Sequence, residues 1–179
     1  MHRNALLKLL KDYSKQFPKE LETTSNFIRF IKSEPNCLQR DLKKGHVTAS
    51  SWVLSPDSSE VLLTHHRKLG IWVQLGGHVD GQPEILQAAL REAQEESGIS
   101  NIQIVSNELF DLDIHRIPEN PKEAAHLHYD TRFLLQAETR IFQISHESLD
   151  LAWVPMDRLE KYSQESSILR MRDKQKNRS

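Results

Sequence analysis

Only one cysteine, Cys37, occurs in the 179 residues, which excludes a disulfide framework within the chain. No apolar stretch is long enough for a signal peptide or a membrane span, so a cytoplasmic location is expected. Net charge is also nearly lacking. The formal balance of −1 argues against a general nucleic-acid binder. Internal repeats and low-complexity segments are missing too. What remains is a chain of ordinary composition, 37% hydrophobic, able to bury one full core and little else.

The charge that is present is unevenly placed. Residues 1–46 carry ten Lys/Arg against five Asp/Glu, and residues 163–179 carry five against two, leaving the intervening part at −9. An acidic middle is what a cation-dependent site requires.

Apolar periodicity organises the chain. Leu6, Leu7, Leu10 and Tyr13 give a first amphipathic helix that stops before Pro18. Phe27, Ile28 and Ile31 give a second, capped by Thr24 or Ser25 and ended by Pro35. We read residues 1–45 as an N-terminal helical extension whose expected role is packing or a homodimer contact. From His46 the texture becomes strand: HVTASSWVL, a turn at residues 55–59, then EVLLTHH, in a hairpin-like arrangement. Residues 71–75 form a short strand leading to Gly76-Gly77, and Pro83 predicts a helix start with Gly98 as its left-handed stop. Further strands are expected at residues 102–105, 108–117, 126–137 and 149–155, followed by a short helix at 158–163. The tail from Asp173 is expected to fray. Strands alternating with helices predict an α/β fold with a mixed sheet between helices. The boundaries are 46–165 for the main domain and 166–179 for a helix end and basic tail.

The stretch GGHVDGQPEILQAALREAQEESGI, residues 76–99, carries the chemistry. On one helix, Glu92 neighbours both Glu95 and Glu96. Left alone, each like-charged pair costs on the order of 0.2–0.5 kcal/mol, and the negative end of the helix dipole adds to that. A divalent cation reverses the sign of this cost. Magnesium suits such a site because it takes oxygen ligands and is commonly shared between carboxylates and substrate phosphates; manganese substitutes in oxygen-rich sites.

Gly77, then thirteen residues, then Arg91-Glu92-Ala93-Gln94-Glu95-Glu96-Ser97-Gly98-Ile99 resembles the Nudix box. The resemblance implies a Nudix-type α/β/α sandwich over roughly residues 46–162. It also implies a metal-dependent pyrophosphohydrolase, in which water attacks a diphosphate linked to a further group. The implied metal ligands are Glu92, Glu95, Glu96 and the carbonyl of Gly76. Glu92 and Arg91 belong to the catalytic set by the same resemblance. Pro83 stands where the box has a glutamate, so Glu84 becomes the expected partner of Arg91. Relatives carry a further Glu on the loop before a late strand, which makes Glu147 the candidate general base and Glu123 the reserve.

Nine histidines are many for this length. Strand alternation puts His126, His128 and Asp130 on one face, open either to substrate contact or to a transition metal. Candidate substrate-binding residues are Arg67, His78, His128 and Asp130. The expected substrate is a nucleotide-derived small-molecule diphosphate, with an RNA end as the one form of nucleic acid left open and no membrane partner. Two alternatives stand beside the hydrolase. An isopentenyl-diphosphate isomerase-like enzyme shares a Gly-His at residues 77–78 but needs a core cysteine, and Cys37 lies in the extension. A non-catalytic ligand sensor has no need to sustain the Glu repulsion.

Overall fold

The computed structural model describes residues 3–119, 121 and 124–178. Two helices come first, α1 (Arg3–Gln16) and α2 (Leu21–Ser33). Thr24 does not cap α2. A 3-10 turn at Pro18–Glu20 leads straight into the helix, whose N-cap is Glu20, four residues earlier, and Thr24 bonds back to the Glu20 carbonyl at 3.0 Å. Among the described residues eight strands follow: β1 (Gly45–Leu54), β2 (Glu60–His66), β3 (Trp72–Val73), β4 (Leu75–His78), β5 (Ile102–Ile104), β6 (Asp111–Ile117), β7 (His126–Ala137) and β8 (Ser148–Pro155). The box helix is α3 (Ile85–Ser97), and α4 (Ser166–Lys176) comes last.

All ten residues of β1 are buried, because it has strands on both edges and cover on both faces. One edge runs parallel to β7 from Gly45↔Leu127 to Leu54↔Gln136. The other edge is shared: β4 pairs antiparallel with residues 48–51, and β2 pairs only at Val53 and Leu54. The predicted hairpin is therefore a short one, since β2 diverges to pair with β8. The mixed sheet is as the sequence predicts. Beyond Phe110, β6 joins β7 antiparallel, from Asp111↔Arg132 to Ile117↔His126.

The period-2 alternation of β1 distributes its two faces. Val47 and Ala49 pack with Ala88 and Ala89 of α3 and with Leu6, Phe27 and Ile31 of the first two helices. Trp52 and Leu54 pack with Ile168 and Met171 of α4. The N-terminal helices thus complete the same core as the sheet. So does the tail. Instead of fraying from Asp173, α4 continues to Lys176 because Lys174 is buried, donating to Asp111 at 2.6 Å and to Tyr13 of α1. Asp111 is fully buried and also takes Arg132 and Arg170 at 3.1 and 2.8 Å. Burial opposes its ionisation, but the Arg170 hydrogen bond and the charges of Arg132 and Lys174 outweigh it and hold the carboxyl below its usual range. Among the described residues, no helix is long and apolar enough to cross a membrane.

Candidate active site

The double glycine exists because two groups approach the backbone from opposite faces of β4. A Cβ on Gly76 would lie 2.2 Å from the Ser50 Cβ, and one on Gly77 would lie 2.4 Å from Glu92 Oε2. Any side chain at Gly77 would push the box carboxylate out of place. Behind it, α3 presses Ala88, Ala89 and Ala93, all fully buried, against the sheet. Their small side chains bring the Glu face close to β4. At the far end, α3 closes with Gly98 at φ 67°, its N–H donating to the Gln94 carbonyl.

The three glutamates are graded in exposure. Glu95 is outermost, its side chain 61% exposed, and pairs with Arg91 at 3.2 Å. Glu92 is half-buried and meets Arg91 at 2.7 Å. Glu96 is 6% exposed, and its Oε2 has no hydrogen-bond partner. Burial pushes the Glu96 carboxyl up to about 8, and the charges of Glu92 and Glu147 add to the shift. Burial also raises Glu92, against the pull of Arg91. Arg91 donates to the His78 carbonyl at 3.1 Å, so it ties α3 to the end of β4. The expected partner Glu84 is not what it reaches. The helix starts at Ile85, two residues after Pro83, with Glu84 at its N-cap, nearly two helical turns from Arg91.

Glu147 lies on the exposed turn before β8, and its charge is felt at Glu92, Glu96 and His66. The structure thus brings this carboxylate to the same acidic site. Sequence reasoning missed what holds it there. Arg67, expected to contact substrate, donates to the carbonyls of His146 and Ser148 at 3.0 and 2.9 Å, and its backbone N–H donates to Glu147 O. Its guanidinium clamps the turn that carries Glu147. Glu123 lies outside the described residues.

Asp130 is not on an open wall. It is 3% exposed and accepts from Thr48, Ser50, Gln74 and Arg132 at 2.9, 2.7, 3.2 and 2.7 Å. A carboxylate with four donors organises the sheet rather than a ligand. His78 and His128 do come together, on the face of β4 away from Glu92, and His46 joins them from β1. Burial lowers His128 to about 2, reinforced by the neighbouring imidazoles, so it is neutral in this patch. Cys37 is fully buried, and burial raises its thiol, which gives an isomerase no nucleophile.

A family model, the NUDIX domain, matches residues 44–172. The chain belongs to the Nudix family. As a Nudix hydrolase it acts on phosphoanhydride bonds of diphosphate-containing substrates. Among solved structures, a Caenorhabditis elegans Ap4A hydrolase binary complex is similar, with a TM-score of 0.58 and 20% identity over 73% of this chain and 95% of the other. The Escherichia coli dihydroneopterin triphosphate pyrophosphohydrolase is similar with a TM-score of 0.56 and 18% identity, over 73% and 95%. The NUDIX domain of Shewanella oneidensis NrtR complexed with ADP ribose gives 0.54 and 17%, over 74% and 86%. Among curated proteins, none matches the sequence.

Proposed function

We propose that this Nudix hydrolase is a magnesium-dependent pyrophosphohydrolase of a small nucleotide-derived diphosphate, with manganese able to substitute. The single observation that carries the reading is Glu96: a buried carboxyl with an orphaned oxygen, beside a second raised carboxyl, fits a cation better than it fits water. Glu92, Glu95, Glu96 and the Gly76 carbonyl would hold the ion, and this all-oxygen donor set suits a hard cation. When bound, such a cation screens the diphosphate charge and acidifies water at the site.

The remaining steps belong to the chain's own residues. Glu147, which sits apart from the box helix but within its electrostatic reach, accepts the proton of the attacking water. Arg91 fixes Glu92 and the β4 end. Arg67 sets the height of the Glu147 turn. Similarity to an Ap4A hydrolase, to a dihydroneopterin triphosphate pyrophosphohydrolase and to a NUDIX domain complexed with ADP ribose supports a nucleotide-like substrate class.

The test is a panel of nucleotide-derived diphosphates with Mg²⁺ or Mn²⁺, following phosphate after phosphatase coupling. Cation-dependent release on at least one compound, abolished in a folded Glu96→Gln variant, is expected. Release that persists in excess chelator, or that survives Glu96→Gln unchanged, refutes the assignment.

A further inference from the structure

A second cluster of potential ligands lies on the other face of β4. The register explains it: His46 of β1 pairs with His128 of β7, His128 pairs with His115 of β6, and His78 of β4 stands opposite Thr48, two residues from His46. Paired residues point to the same face, so three strands deliver imidazoles to one place beside β4. His46, His78 and His128 offer nitrogen atoms that all lie within 4.8 Å of one another. His126 Nε2 lies 3.3 Å from His128 Nε2.

We propose that His46, His78 and His128 form a binding site for a transition-metal ion of the zinc class, separate from the carboxylate site, with His126 the imidazole beside His128. Geometry supports it first. With metal–nitrogen bonds of about 2.0–2.1 Å, ligand nitrogens in a tetrahedron stand about 3.3–3.4 Å apart. The His126–His128 pair is already at that spacing, and the trio, within 4.8 Å, needs to close by about 1.5 Å at most. The surroundings support it second. Metal-ligating histidines direct their other ring nitrogen to a carbonyl or carboxylate; His126 Nδ1 meets the Ala124 carbonyl at 2.8 Å, which leaves Nε2 to face the cluster. Donor chemistry separates the two sites. Imidazole nitrogens favour zinc, cobalt or nickel, while the glutamates favour magnesium or manganese. The long parallel β1–β7 ladder fixes the His46–His128 pair on rigid backbone, as a metal site needs.

The experiment uses the full chain without an oligohistidine tag, stripped by chelator and titrated with Co²⁺ in excess Mg²⁺, reading visible absorption and bound cobalt. One equivalent per chain is expected, with the spectrum of a nitrogen-ligated tetrahedral ion. Affinity should fall by at least about a hundredfold in His128→Gln, more than the usual cost of losing a supporting residue, and stay unchanged in Glu96→Gln. Because His46 is buried and its replacement risks the fold, the half-buried His78→Gln serves as the second variant, with circular dichroism confirming its structure. No cobalt uptake by the wild type, displacement by Mg²⁺, or uptake lost in Glu96→Gln and kept in both folded histidine variants would overturn the proposal.

Discussion

Replacing Glu96 by glutamine should make the cation-free protein more stable at neutral and alkaline pH while removing its activity. The carboxyl is raised from an ordinary 4.5 to about 8 in the folded chain. Below pH 4.5 both folded and unfolded states hold the proton, and nothing is lost. Between 4.5 and about 8 the unfolded chain releases it while the folded chain keeps it, so stability falls as pH rises, by up to about 1.4 kcal/mol per pH unit. Over the whole window the ceiling is about 4–5 kcal/mol. Glutamine carries no such titration; allowing about 1 kcal/mol for an imperfectly bonded buried amide, the variant should exceed the wild type by about 2–4 kcal/mol near pH 8 in chelator. Urea unfolding at several pH values between about 5 and 8 measures this directly. Saturating Mg²⁺ should then restore the wild type, by about 2.7 kcal/mol at a hundredfold excess over Kd, and leave the variant where it was. Wild-type and variant curves that run parallel with pH in chelator would refute the reasoning.

Two further outcomes follow from the same geometry. Glu147→Gln should lower kcat by about 10²–10⁴ with KM nearly unchanged and should alter the acidic limb of the pH profile; wild-type kcat with the same limb would make Glu147 a bystander. Gly77→Ala puts a methyl 2.4 Å from Glu92 Oε2, and the displaced carboxylate should reduce kcat by about 10² while circular dichroism remains that of the wild type; undiminished turnover would remove Glu92 from the machinery.

Local patterns were legible in the sequence, and long-range ones were not. The box, the α3 stripe and the Gly98 stop depend on spacings within a few turns of helix. The strand alternation around His126 and His128 was visible as well. His46 was invisible as their neighbour because its proximity depends on a parallel register 82 residues away. The same blindness assigned Asp130 to a pocket, since its partners Thr48 and Ser50 come from β1. Lys174 reads as part of a frayed end because nothing near it in sequence reveals Asp111 and Tyr13. Arg67 reads as an exposed turn residue until β8 is placed beside β2.

The parallel pairing of β1 with β7 also orders events in folding. Glu92 is positioned by Gly77, Gly77 by Ala49 of β1, and His128 by His46 of the same strand. Joining segments this far apart closes a long loop before its contacts can stabilise it, and so belongs to the slow part of folding. Gly77 meets Ala49 only 28 residues away along the chain, so the glycine floor beneath Glu92 does not wait for this closure, whereas the His46–His128 pair does. The cluster of imidazoles from β1, β4 and β7 is therefore complete only once β7 has docked on β1.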